Sequence, residues 1–465
     1  MRAYTPMMWK VWVGCGVLGS GACGGGNPSA TVDDDGAVSG SRLKLRWYDM
    51  DDGPRTWVDS ELYDSLLATT CAATVFADGK RYCQPTGPFA EIVYSDAACT
   101  QRAVASTSPA PPATAEDFQL PDPACGGGGT IAVYAVGAVI AATSYFVKNA
   151  NGTCSQPVAI GTNTLYTAGA QITNLVELTI DRTTNGARLV QEAFTSADGL
   201  RLPIDTFFDS QTGIDCSPDP LSGLCLPFEQ GGSGRYPDAT CSNALASWNS
   251  ACPAPTIDVQ RTACSGAKLF AVGSPFTGPQ FGFFSDTNPV CMPAEPIDGQ
   301  SYAALGDQLE IVGFQRVHNA AMGRLGFVDE TAEGVFARSS YFDLTVGTEC
   351  SPSAATDGSV TCRPLSGELF DAFSDAQCSV PIVLGVVPTG GPDCMPQTRP
   401  VTTTMLVSGE LVITRLGTVH TAPVFDRTMG PCAVDTFFTN GLELHDLGAV
   451  IPESALATGT LVTDE

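Results

Sequence analysis

The sequence predicts an all-β fold, and within that class a six-bladed β-propeller built from three tandem two-sheet units, with three tandem β-sandwich-like domains as the alternative. Three observations predict it. First, one grammar of fixed offsets appears three times. An aromatic-Asp pair stands seven residues before a first Cys: Tyr63-Asp64 and Cys71, Phe208-Asp209 and Cys216, Phe342-Asp343 and Cys350. A second Cys follows with Pro two residues on (Cys83, Cys225, Cys362), and sixteen residues later a third (Cys99, Cys241, Cys378), close behind Asp-Ala at Asp96, Asp238 and Asp375. Second, short runs such as Leu43-Lys44-Leu45-Arg46-Trp47 alternate apolar and polar residues, the period of a half-buried strand. Third, Asp-Gly and Ser-Gly steps at Asp78-Gly79, Asp198-Gly199, Ser222-Gly223 and Asp357-Gly358 punctuate those runs as hairpin turns do. Each unit holds about eight strand signals, which divide into two four-stranded meanders and so into six blades.

Composition narrows the partners and the compartment. With Lys+Arg 23 against Asp+Glu 49 the formal net charge is -26, a field that repels nucleic acid and anionic headgroups. Eighteen Cys without paired CxxC knuckles point to disulfides in an oxidising compartment. The three His residues, His318, His420 and His445, are too scattered to complete a Cys/His metal set.

Residues 1–22 carry Arg2 and Lys10, the apolar run Val11 to Leu18 and small residues up to Ala22, the pattern of a secretory signal. Gly21-Ala22-Cys23 resembles the end of the lipobox of bacterial lipoproteins, with Ser20 where that box usually has Leu. The resemblance implies lipidation of Cys23 and an envelope or cell-surface location, with plain secretion as the alternative. Residues 23–39, Gly-rich with Asp33-Asp34-Asp35, read as a tether. The remaining chain resembles cysteine-rich repeat lipoproteins of soil bacteria, a likeness carried by the Cys and Asp-Gly spacing and silent on chemistry.

The units are 40–185, 186–322 and 323–465, each opening on an Arg-Leu step at Arg42, Arg188 and Arg324. Those arginines precede their aromatic-Asp aspartates by 22, 21 and 19 residues, room for two strands and a turn. First and second Cys flank a hairpin, so Cys71 with Cys83, Cys216 with Cys225 and Cys350 with Cys362 are expected to bond across neighbouring strands. Pairing of the other cysteines stays open at this point.

Asp64, Asp209 and Asp343 are the candidate ligand residues. In a propeller, equivalent positions converge on the channel, where three carboxylates could hold a cation or act as acid and base. The competing expectation is that each accepts hydrogen bonds in its own turn or pairs with the Arg of its own unit. No G-x-S-x-G, H-E-x-x-H or Walker loop is present, so no catalytic residue, metal set or cofactor is nominated. The expected role is that of a non-catalytic binding module for a protein or glycan ligand, monomeric, touching the membrane only through its lipid anchor. A carbohydrate-active hydrolase or lyase using acidic residues in a propeller channel is the alternative.

Overall fold

The computed structural model describes residues 36–464 apart from 77, 87–89, 108–110, 120–129, 150–151, 183–187, 220–221, 228–233, 262–266, 284–289, 320–322, 356, 365–371, 386–400, 406–410, 427–431 and 435–442. The described chain is all-β, with one 3-10 turn at Glu453–Ala455. The three units contribute the same five strands to one belt. An opening hairpin comes first: Leu43–Met50 with Thr56–Asp64, Leu189–Thr195 with Arg201–Asp209, and Leu325–Ala332 with Val335–Asp343. A cysteine hairpin follows: Thr69–Val75 with Arg81–Pro85, Ile214–Pro218 with Cys225–Leu226, and Thr348–Ala354 with Ser359–Pro364. A return strand ends each unit, at Glu177–Asp181, Gln315–His318 and Thr458–Thr463.

These fifteen strands form one continuous sheet. Its two ends also meet: the Cys225 N–H donates to the Val312 carbonyl at 2.9 Å and the Phe314 N–H to the Gly223 carbonyl at 2.7 Å, just before the return strand that starts at Gln315. The sheet is therefore a closed ring, which leaves no edge to template aggregation. The last strand of the chain closes it by pairing with the first, Arg46 to Met50 against Thr463 to Gly459.

The ring holds together by sharing its hairpins. Register shifts at Leu45/Trp47, Gln191/Ala193 and Val328/Asp329 bend each opening hairpin in its middle. The half before the bend packs in its own unit, and the tip beyond it fills the core of the preceding one. Leu200 and Leu202 thus join Leu43, Leu45, Leu62, Cys71 and Cys83; Ala332 and Val335 join Leu189, Phe207, Cys216 and Cys225; Met50 joins Leu325, Tyr341, Cys350 and Cys362. Each fully buried Leu contributes about 2 kcal/mol, so no unit closes its core without its neighbour's tip. The tips also serve the Arg-Leu steps. The Asp198 carboxylate accepts the Arg42 and Leu43 N–H groups, both at 2.8 Å, and the Asp52 carbonyl accepts those of Arg324 and Leu325 at 3.0 and 2.9 Å.

Between cysteine hairpin and return strand each unit emits an outer lobe. In unit 1 five strands, Ala90–Tyr94, Arg102–Ser106, Thr114–Gln119, Thr130–Val139 and Thr164–Gln171, close a barrel with one parallel pairing, Glu91 with Glu116. Among the described residues, units 2 and 3 have four-stranded lobe sheets in which the last strand lies second, between the first and the third. The all-β class and the four-stranded first half of each unit agree with expectation. Strand pairing differs from that of six separate blades: the first halves fuse into one belt, and the lobes are not meanders. The physical reason is the return strand, which pairs on both sides and leaves no gap between units. The boundaries 185/186 and 322/323 fall at or beside undescribed stretches.

Candidate functional site

The three candidate aspartates end the opening hairpins, where each meets the arginine of its unit's Arg-Leu step. Arg42 grips Asp64 with two parallel bonds, Nε to Oδ1 at 2.8 Å and Nη2 to Oδ2 at 2.6 Å. Arg188 holds Asp209 at 2.8 and 2.7 Å, and Arg324 holds Asp343 at 2.8 and 2.6 Å, in the same fork geometry. The carboxylates also take N–H groups of the following turn, from Leu66 and Leu67, from Gln211, and from Thr345 and Val346. All three are buried, at 0%, 5% and 1% exposure. Burial pushes the Asp209 carboxyl up, but the Arg188 guanidinium and the Gln211 N–H outweigh it and hold the group below its ordinary value. Each guanidinium has one further bond, to the Asn174, Glu310 or Ala455 carbonyl, so it ties the chain entering its return strand to both hairpin strands. The structure brings each aspartate together with its own arginine and keeps the three in separate keystones. The tie to the entering chain was not legible in the sequence, because the carbonyls that receive it carry no residue signature.

Cys71–Cys83, Cys216–Cys225 and Cys350–Cys362 are bonded pairs with Cα–Cα distances of 5.2, 5.2 and 5.3 Å. Each third cysteine bonds as well to one further along its unit, Cys99–Cys154, Cys241–Cys291 and Cys378–Cys432, closing the base of each lobe. Asp96 and Asp375 shape the turns that deliver those third cysteines. Asp96 accepts the Gln101 and Thr100 N–H groups, which hold its carboxyl below its ordinary value, and Asp375 accepts those of Ser379 and Val380. Asp238 does so more sparingly, through Thr240. Cys99, Cys241 and Cys378 all sit at positive φ, 50°, 47° and 48°, strain that a tight turn and a crosslink together sustain. Cys23 lies outside the described residues.

One polar pair breaks the repeat. His420 Nδ1 lies 2.8 Å from Asp446 Oδ1 in the unit 3 lobe, and its ring is 6% exposed. Its Nε2 is buried without a hydrogen-bond partner. The backbone shows what the other units place there: the N–H groups of Ile140, Phe276 and His420 donate to the carbonyls of Leu165, Tyr302 and Leu444. The residues two beyond those acceptors are Thr167, Ala304 and Asp446. An imidazole and a carboxylate therefore stand where the other units hold Ile140 with Thr167 and Phe276 with Ala304, at the cost of an unsatisfied nitrogen. Sequence reasoning passed over His420 as a lone His; aligning the lobe strands of the three units would have found it. Asp258 is a second departure, 1% exposed with Oδ1 unpartnered, and burial pushes its carboxyl up. Among the described residues no group of three His, Cys, Asp or Glu side chains could hold a metal ion.

A family model described as "Family of unknown function (DUF7481)" matches residues 17–456, nearly the whole chain. The chain belongs to the DUF7481 family. No curated protein and no solved structure matches it. In this DUF7481 chain the residues that recur in every unit, Arg, Asp and Cys, are those that build the ring. His420 with Asp446, and Asp258, depart from the repeat in the lobes. Among the described residues six cysteine pairs are bonded, which fits an oxidising environment, and no helix is long and apolar enough to cross a membrane.

Proposed function

We propose that this protein is a non-catalytic binding module of the cell envelope or surface, held there by a lipid on Cys23, with the ring as scaffold and the three outer lobes as the display. One observation carries the reading: the recurring Arg-Asp pairs are spent on holding the ring's hairpins and the recurring Asp-Ala turns on the lobe bases, whereas side chains within the lobes differ from unit to unit. At equivalent lobe places unit 1 has Ile140 with Thr167, unit 2 Phe276 with Ala304 and unit 3 the His420–Asp446 pair. Recognition surfaces have this division of labour, variable segments on a fixed frame. The ligand is a protein or glycan of the surroundings, and net charge -26 disfavours polyanions.

The purified protein, immobilised through its N-terminus, would be offered arrayed glycans and, in parallel, soluble polysaccharide and ester substrates. Saturable binding without turnover is the expected outcome. Turnover that disappears when one carboxylate is replaced by its amide would instead establish the hydrolase or lyase reading. Intact mass of the envelope-extracted protein tests the anchor: a diacylglycerol-modified Cys23 is expected, and an unmodified chain starting near Cys23 would mean secretion.

A further inference from the structure

The three junctions of the ring are not chemically alike. Where the return strand of unit 1 meets unit 2, Arg182 is shared by two carboxylates, Nε to Glu192 Oε1 at 2.7 Å and Nη2 to Asp215 Oδ1 at 2.7 Å. Where unit 2 meets unit 3, Arg316 is shared in the same way, Nη1 to Glu330 Oε1 at 2.9 Å and Nε to Glu349 Oε1 at 2.9 Å. The two sets lie two residues apart along their junctions, the place of Arg182 and Glu192 being taken at the second junction by His318 opposite Val328. Arg316 lies opposite Glu330 in register, and extending the pair Asp181 with Ala193 by one step sets Arg182 opposite Glu192. Asp215 and Glu349 each directly precede the first Cys of their unit. At the third junction, between the first and last strands, the place of Arg316 and Glu330 holds Leu461 opposite Tyr48, packed against an apolar core, and that of Arg182 and Glu192 holds Thr463 opposite Arg46, which donates to a single, partly exposed carboxylate, Glu61, at 2.6 Å; Thr70 precedes Cys71.

We propose that the two junctions between successive units form a pH-responsive element built into the ring. As pH falls, one proton enters each, removes a carboxylate-carboxylate repulsion and tightens the return strand against the next opening strand, while the junction of the chain ends does not respond. One guanidinium cannot neutralise two carboxylates, and in each pair one carboxylate is buried: Glu192 is 1% and Glu330 5% exposed, so water cannot screen it. The groups facing Glu192 are Arg182 and Asp215. Those facing Glu330 are Arg316, Glu349 and Asp219, and His318 Nε2 stands 3.5 Å from Glu349. Burial raises the Glu192 and Glu330 carboxyls above the ordinary 4.5, the arginines oppose the shift, and the neighbouring carboxylates add to it.

The sign follows from linkage. A group whose folded value exceeds its unfolded one gains a proton on folding, so its contribution to stability grows as pH falls through the folded value towards 4.5 and is lost as pH rises. Asp198 and Asp209, which are held below their ordinary 3.8, act the other way and only at still lower pH, so the two windows are separate.

Amide hydrogen exchange on the intact protein at about pH 5 and about pH 8, corrected for intrinsic rates, tests this without any substitution. Protection at Glu177–Asp181 with Leu189–Thr195, and at Gln315–His318 with Leu325–Ala332, is expected to be higher at the lower pH, by about threefold for the first unit that a Glu is displaced and by about tenfold for each further one. Protection at Thr458–Thr463 with Leu43–Met50 is expected to stay level, which makes it an internal control. Glu192→Gln should abolish the response at the first junction alone and Glu330→Gln at the second alone. An equal response at all three junctions, or one that survives in E192Q/E330Q, overturns the proposal.

Discussion

The Arg-Asp keystones set the energy scale at the level of single residues. Asp64, Asp209 and Asp343 are buried at the ends of the opening hairpins, and their arginines are the charges that compensate them. Truncating Arg324 to Ala leaves the Asp343 carboxylate uncompensated and should cost about 3 kcal/mol, read as a lower denaturation midpoint at unchanged m-value. An aspartate retained for a cation would behave otherwise, because removing a nearby positive charge would strengthen cation binding. His420 points the opposite way. Replacing it and Asp446 by the residues of unit 1, as His420→Ile with Asp446→Thr, removes an unsatisfied buried nitrogen and is expected to stabilise the protein by about 1–2 kcal/mol. Calorimetry of the double variant would check this, and a loss of stability would mean that the dyad is itself part of the lobe's support.

The lobes turn on paired glycines at the level of elements. In each lobe two long strands cross through register shifts, and a Gly faces the partner backbone from either side: Gly137 and Gly169, Gly273 and Gly306, Gly417 and Gly448. A Cβ on Gly417 would lie 2.6 Å from the Asp446 carbonyl oxygen, and one on Gly448 2.6 Å from that of Arg415. Backbone cannot yield as a side chain can, so Gly417→Ala should cost about 2 kcal/mol or more in thermal unfolding. Gly79, at φ 77° with open space around it, is constrained only by its turn, and Gly79→Ala should cost about 1 kcal/mol. If the two substitutions cost the same, close approach is not what fixes the lobe glycines.

Over the whole molecule, closure by chain ends is the property with the widest consequences. Two junctions are continuous through the backbone, and the third rests on the pairing of first and last strands, the Ser39 Oγ bond to Asp464 at 2.7 Å and the Arg55–Asp464 ion pair. Because Ser39 and Asp464 touch, a short Gly-Ser link between the ends would span the seam without strain. A circular permutant so linked and opened at 185/186 is expected to fold with the same secondary structure and a melting temperature within a few degrees of the parent. Deleting Thr458–Asp464 should instead unfold the ring, since it removes the strand that Leu43–Met50 pairs with. Circular dichroism and scattering on both chains would separate these outcomes. A deletion variant that remains compact and cooperative would mean that the units fold alone.

The sequence by itself determined the strands, the threefold repeat, the hairpin disulfides and the oxidising compartment, because each is written in spacing over twenty residues or fewer. Arg and Asp at fixed distances from the first Cys announced the hairpin ends, and Asp-Gly steps announced the turns. Only the tertiary structure decided what those hairpins pair with. The tip that fills unit 1 comes from Leu200 and Leu202 of unit 2, and the partner of Leu43–Met50 is the last strand of the chain. Alternation tells which face of a strand is buried, not which neighbour buries it, so meanders in separate blades and hairpins shared around one ring read alike. The His420–Asp446 pair and the two Arg-centred junctions emerged for the same reason: their meaning lies in what the equivalent positions of the other units hold, and only strand register shows which positions are equivalent.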